Sequence, residues 1–273
     1  MSANSASIQR SFLRWAGSKR KLVPLLSELW RRSGSTTYVE PFCGSSALFF
    51  ATQPKRAYLG DINAWLVDTL NTVRTSPEAV AERLSCIAQS KDLYLKIRSI
   101  PRHKFSPINS AAYFIYLNRN CFNGIYRTNK QGLFNVPYSA SRNGPLPSHD
   151  DLMQASTILK NASILNVDFQ RLVEESDLRG ALVYLDPPYA TRNYRIFTQY
   201  DGSSFGVQDV ARLKETLRYI HSQGARFVLS YADVSEISSL KDEWRAETVS
   251  VVRNVSGFSK GRKSAAEILV RNF

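Results

Sequence analysis

Short apolar runs alternate with helical patterns along most of the chain. Thr37-Tyr38-Val39-Glu40 reads as a buried strand, and Ser46 to Thr52 as a short helix after it. Ala57 to Gly60 reads as a second strand, followed by a helix from about Ala64 to Arg74. Ser163 to Val167, Ala181 to Leu185 and Arg226 to Ser230 read as further strands. The clearest later helix runs from Val207 to Gln223 and is ended by Gly224. This alternation predicts an α/β fold, a largely parallel sheet with helices on both faces. Thr248 to Val252 and Ala266 to Val270 have no long helix between them, which predicts an antiparallel pair at one edge. The stretch from Ser76 to Asn120 breaks the alternation and reads as helices alone: Pro77 to Ser90, Asp92 to Ser99 and Asn109 to Asn120. A polar, glycine-punctuated stretch from Asn123 to Pro147 follows. The expected organisation is an α/β domain over 1–74 and 151–273, interrupted by a mostly helical insertion over 75–150.

Composition narrows the class. With 43% hydrophobic and 22% charged residues in 273, a disordered chain is excluded. No run of about 18 uncharged apolar residues exists, so no membrane-spanning helix is expected. The opening residues MSANSASIQR lack the apolar centre of a signal peptide, which points to the cytoplasm. Cys43, Cys86 and Cys121 are odd in number and far apart, so a disulfide framework and a clustered zinc site are excluded. His103, His149 and His221 are isolated, and no metal is expected.

Charge changes the picture. Lys and Arg total 36 against 23 acids, a net +13, which favours a polyanionic partner. The excess is unevenly spread. From Leu93 to His149 there is no Asp or Glu, while Lys96, Arg98, Arg102, Lys104, Arg119, Arg127, Lys130 and Arg142 all fall there. The first 35 residues carry Arg10, Arg14, Lys19, Arg20, Lys21, Arg31 and Arg32 against Glu28 alone. Phosphate repels carboxylates and recruits Lys and Arg, so a surface facing a nucleic-acid backbone has this composition. A solvated face normally mixes both signs.

Three motifs carry candidate chemistry. Asp186-Pro187-Pro188-Tyr189 follows the apolar strand Ala181 to Leu185. Ligands in open α/β sheets bind beyond the carboxyl ends of strands. An exocyclic base amine is a poor nucleophile, and Asp186 with the Pro187 carbonyl offers acceptors for its two N–H groups. The prolines stiffen the turn, and Tyr189 offers a stacking face. The bland alternative is a proline-stopped strand end with a solvated Asp. Val39-Glu40-Pro41-Phe42-Cys43-Gly44-Ser45-Ser46 reads as strand, turn and helix start, a loop that a cofactor can approach. Asp61 ends the next strand, where an acid commonly grips a ribose hydroxyl pair, or it caps the following helix. Phe12-Leu13-Arg14-Trp15-Ala16-Gly17-Ser18-Lys19 gathers aromatic, small and basic residues, either as a lid over an adenosine and a carboxylate or as a strand ending at a helix cap. Arg127, in a basic and glycine-flanked stretch, suits a bidentate contact with guanine or a phosphate contact. Tyr113-Phe114-Ile115-Tyr116 reads as helix core.

In this order, FLRWAGSK, VEPFCGSS, LGDIN, CFNGIYRTNKQGLFNVPYS, VDF, LDPPY and NVSGFSKGRKSAAEILV resemble the DNA adenine methyltransferase (Dam) family over nearly the whole chain. The resemblance implies a Rossmann-like methyltransferase core with a target-recognition insertion. It implies S-adenosylmethionine as cofactor, held by Trp15, Lys19, Phe42, Gly44, Asp61 and Asp186, with Asp168 and Phe169 near its adenine. It implies Asp186, Pro187 and Tyr189 as catalytic residues. Double-stranded DNA is the implied partner, with Arg127 reading a guanine, Phe122, Asn123 and Pro137 around a flipped adenine, and Asn129 and Lys130 as further contacts. GATC is the implied recognition sequence. Ser18 and Ser46 stand where the family usually has glycine, and Ala140-Ser141 where it often has a basic–aromatic pair. The rival readings are an RNA or protein-side-chain methyltransferase of similar core, and a DNA-binding relative without activity.

Overall fold

In the computed structural model the described residues are 9–140, 144–189, 205–252 and 264–273. Seven strands form one sheet: β1 (Thr37–Glu40), β2 (Ala57–Gly60), β3 (Ala162–Leu165), β4 (Ala181–Leu185), β5 (Arg226–Ala232), β6 (Arg245–Val252) and β7 (Ser264–Arg271). Their order across the sheet is β3-β2-β1-β4-β5-β7-β6. β1 to β5 pair in parallel, while β7 runs antiparallel to both β5 and β6. The expected antiparallel pair therefore forms, with β7 inserted between β5 and β6. β1 and β4 are buried along their full length, and β4 reads as an unbroken apolar run for that reason. β3, at the other edge, alternates buried and exposed residues.

The period of two along the strands divides the core into two layers. Tyr38, Leu182, Tyr184, Val228 and Leu269 face one layer, with helix α1 (Val23–Ser33), α2 (Ala47–Thr52) and α3 (Ala64–Thr75). Val39, Val183, Leu185, Phe227 and Leu229 face the other, with α8 (Phe169–Glu175), α9 (Val207–Ser222) and α10 (Ser238–Glu243). Pro24 opens α1, and Gly34, with φ 61°, ends it in the left-handed region that glycine tolerates.

Between β2 and β3 lie α3, α4 (Pro77–Ser85), α5 (Lys91–Arg98), α6 (Pro107–Asn120) and α7 (His149–Leu159). The pattern over Pro77 to Ser90 is longer than α4, which stops at Ser85; Ser90 instead caps α5 by accepting the Leu93 N–H. α6 packs on α3 and α4, and α7 packs on the same two helices. Phe114, Ile115 and Tyr116 are buried in this cluster, as helix core. After α6 a hairpin-like loop is pinned by bridges between Thr128 and Phe134 and between Cys121 and Tyr138. No helix among the described residues is long and apolar enough to cross a membrane.

Candidate active site

β2 and β4 lie on opposite sides of β1, so a crevice opens beyond the carboxyl ends of β1 and β4. Asp186 to Tyr189 leave β4 into that crevice. A cleft of about 270 Å3 there is lined by Trp15, Lys19, Glu40, Phe42, Gly44, Asp186, Pro187 and Tyr189 among others. Three sequence motifs far apart in the chain thus meet at one place.

The Lys19 ammonium lies 2.7 Å from Asp186 Oδ1 and 3.8 Å from the Glu267 carboxylate. It donates to the Tyr189 hydroxyl at 3.1 Å, and that hydroxyl donates to Glu267 Oε1 at 3.0 Å. Ser230 Oγ donates to Asp186 Oδ1 at 2.9 Å. Burial raises Asp186 above the usual carboxylate range, and Lys19 and Ser230 offset part of that rise. Burial alone would lower Lys19, but the charge of Asp186, with Tyr189 and Glu267, more than reverses it, so Lys19 stays a cation. Burial also pushes the Tyr189 hydroxyl up to about 12.

The Phe42–Ser46 turn is held from the next strand. Asp61 Oδ2 accepts the Gly44 N–H at 3.0 Å, and Oδ1 accepts the Asn63 N–H at 2.9 Å. The cap of α3 is Asn63, whose side chain accepts from Trp65 and Leu66. Asp61 therefore braces the glycine turn that lines the cleft. Ser46 adopts φ 52°, the left-handed conformation in which glycine is usual. Cys43 is buried, which raises its thiol well above the ordinary value and suppresses the thiolate.

Phe42 stacks on Phe169 with centroids 5.0 Å apart, and Phe205 meets Phe42 edge-on at 6.0 Å. Asp168 caps α8 by accepting the Gln170 N–H and pairs with Arg212, whose guanidinium lies over the Phe169 ring. Asp168 and Phe169 stand behind Phe42 and do not line the cleft.

Residues 9–22 form turns, without the strand that one reading allowed. They join the cleft to the insertion. Arg14 N donates to Asn118 Oδ1 at 2.8 Å, Arg14 Nη1 to the Arg119 carbonyl at 2.9 Å, and Ala16 N to the Gly124 carbonyl at 3.1 Å. Trp15 stacks on Tyr126. The two basic segments therefore touch at Arg14 to Ala16. Phe122 is exposed, Asn123 adopts φ 56°, and the Pro137 carbonyl accepts the Phe122 N–H at 3.0 Å. Arg127 Nη2 donates to the Asn135 carbonyl at 2.7 Å at the base of the loop. Asn129 turns its tip by accepting the Gln131 and Leu133 N–H groups, with Lys130 exposed beside it.

Sequence reasoning missed Glu267, Ser230, Glu40 and Arg212. Glu267 carried a signal, a lone acid inside the apolar run Ala265 to Val270. Ser141 and the segment 254–263 of the terminal motif lie outside the described residues.

The chain is similar to known proteins over most of its length. Residues 15–255 match the family described as D12 class N6 adenine-specific DNA methyltransferase. The chain is 32% identical to the type II methyltransferase M1.LlaDCHI of Lactococcus lactis subsp. cremoris, over 97% of this chain and 95% of that protein. It is 30% identical to the type II methyltransferase M.MjaIII of Methanocaldococcus jannaschii, over 97% and 99%. It is 29% identical to a DNA adenine methylase of Haemophilus influenzae, over 95% and 92%.

Proposed function

Because the chain belongs to the D12 class N6 adenine-specific DNA methyltransferase family, we propose that it transfers a methyl group from S-adenosylmethionine to N6 of a flipped adenine in duplex DNA, within GATC. The reading rests on one observation above all: Lys19, Asp186, Pro187 and Tyr189 converge on a cleft at the strand switch point. The donor set suits this cofactor. Lys19 offers a cation for a carboxylate, Gly44 leaves a turn without a side chain, and Phe42 offers an aromatic face. Trp15, Lys19, Phe42, Gly44, Asp61 and Asp186 would hold it, with Asp168 and Phe169 behind Phe42. S-adenosylmethionine supplies an electrophilic methyl group on a sulfonium.

The chain's own residues position the acceptor. Asp186 and the Pro187 carbonyl each accept one N–H of the adenine amine and aim its lone pair. The Asp186 carboxylate and the Pro187 carbonyl dipole offset the positive charge that develops on nitrogen, so positioning and electrostatics carry the rate. Tyr189 stacks on the base, which leaves the duplex at a cost of a few kcal/mol. Asp186 need not be a strong base, because the methylated amine is acidic enough to lose its proton afterwards. Residues 75–150 serve as the target-recognition unit, with Phe122, Asn123 and Pro137 at the vacated base pair, Asn129 and Lys130 on the DNA, and Arg127 on a guanine. No step calls on a metal, and the cytoplasm is the compartment that fits.

Incubation of the protein with labelled S-adenosylmethionine and duplex DNA, RNA or protein tests the reading, followed by sequencing of the methylated sites. Label is expected on adenine N6 in duplex GATC and to vanish in Asp186→Ala. Label on RNA or protein alone, or full turnover by Asp186→Ala, would overturn it.

A further inference from the structure

We infer that Glu267 is a positioning residue of this site, aiming the Tyr189 hydroxyl and sharing Lys19 with Asp186. The inference rests on the methyl-transfer reading above. β7 runs antiparallel to β5, so Glu267, early in β7, falls opposite Ala232 at the carboxyl end of β5. Alternation along the strands then turns Glu267 to the same layer as Leu269, Val228 and Tyr184. That layer holds Lys19 at the cleft.

The donor count fixes the direction of the network. An ammonium only donates, so the Tyr189 oxygen accepts from Lys19. The single Tyr189 proton then goes to Glu267. This pins the ring, which also meets Tyr231 edge-on at 5.2 Å. Glu267 is 2% exposed, and a buried carboxylate at a strand position is costly unless it is paired. A residue needed for packing alone would be apolar, as Leu269 two places on is. Glu267 also faces the charge that governs Asp186. The titratable groups around Asp186 are Lys19, Tyr189, Glu267, Glu40 and Tyr184, with Ser230 as a neutral donor. With its ammonium divided between two acids, Lys19 neutralises Asp186 incompletely, which preserves its strength as an acceptor.

The test uses the full chain with Glu267→Gln, Glu267→Ala and Tyr189→Phe, and a duplex carrying 2-aminopurine at the target adenine. Glu267→Ala is expected to lower kcat by about ten- to hundredfold, the worth of a hydrogen bond to a charged group. It should raise 2-aminopurine emission in the complex, as stacking on Tyr189 loosens. In a Tyr189→Phe background the same substitution should leave the emission unchanged. Glu267→Gln keeps an acceptor for the hydroxyl, so its emission should match wild type. Its acid limb of kcat should move to lower pH, because one negative charge beside Asp186 is gone. If Glu267→Ala fails to fold, the Gln variant decides. Wild-type emission with a shifted acid limb supports the inference; an unshifted limb, or emission raised in Gln, overturns it. Equal emission changes from Glu267→Ala with and without the Tyr189 hydroxyl would also overturn it. A wild-type protein that methylates no adenine would instead sink the methyl-transfer reading itself.

Discussion

The Trp15 indole fills the place that a side chain on Gly44 would need. A Cβ there would fall 2.7 Å from Nε1 and 2.9 Å from Cδ1 of Trp15. Gly44 also sits at φ 45° and donates its N–H to Asp61. Conformation, contact and hydrogen bond all converge on one residue of the turn.

Gly44→Ala is therefore expected to displace Trp15 and weaken cofactor binding by about tenfold or more, since left-handed backbone alone costs roughly 1–2 kcal/mol for a residue with a Cβ. Calorimetry with S-adenosylmethionine reads the affinity, and tryptophan emission reads the displaced indole. Asp61→Ala releases the same turn from the other side and should raise KM for the cofactor more than it lowers kcat. Unchanged affinity in both variants would mean that the turn does not touch the cofactor.

Glu40 predicts a pH dependence of stability. Burial raises it well above the usual carboxylate range, against the opposing hydrogen bond of Tyr38, and the nearby charges of Asp186 and Asp61 add to the rise. The folded state thus holds this proton more tightly than the unfolded chain. Its contribution to stability is complete below the ordinary glutamate pKa and is lost as pH rises through the raised folded value. Glu40→Gln cannot lose a proton there, so its Tm should fall less steeply with pH over that window. Parallel Tm profiles for the two proteins would show that Glu40 titrates normally.

Arg20 and Arg119 form a cation cluster with Arg14. Burial lowers both, and neighbouring arginine charge lowers them further. Guanidinium groups stay charged under these conditions, so the cluster remains a cationic site. Each neutralised phosphate contributes about −0.9 to the slope of log affinity against log salt. Replacing Arg20 and Arg119 by alanine should weaken binding to all duplexes alike and flatten that slope by about one per arginine. Fluorescence anisotropy across a salt series measures it, and an unaltered slope would place the DNA elsewhere.

Arg127→Ala separates two roles for one guanidinium. A bidentate guanine contact would show as relaxed discrimination at the first position of GATC, by about 1–3 kcal/mol. A phosphate contact would weaken all sequences equally. Arg127 also donates to the Asn135 carbonyl, so a melting curve must accompany the comparison. Methylation of GATC against its first-position variants measures the discrimination, and equal loss on all of them refutes guanine reading.

The central strands were legible in the sequence because they are buried on both faces. Thr37–Glu40, Ala57–Gly60 and Ala181–Leu185 have the bounds that their apolar runs suggest. The cleft was legible for a different reason: its Asp186, Gly44 and Lys19 stand in short motifs whose backbone demands are local. What sequence periodicity cannot reveal is which strand lies beside which. Ser230 reaches Asp186 because β5 pairs with β4, and Glu267 reaches Tyr189 because β7 pairs with β5. The helix-cap alternative for Asp61 fell for a similar reason: Asn63 caps α3, and Asp61 turns its oxygens onto backbone N–H groups of the neighbouring turn and its own loop.

The place of β7 between β5 and β6 sets an order of assembly during synthesis. β6 is made before β7 but has no partner in the sheet until β7 arrives. Until then β5 presents an open edge, the kind of surface on which incomplete chains aggregate. Lys19 emerges early and meets its second carboxylate only with Glu267, 248 residues later. A nascent chain stopped short of β7 would carry every residue of the Asp186 turn and still hold an unclosed site.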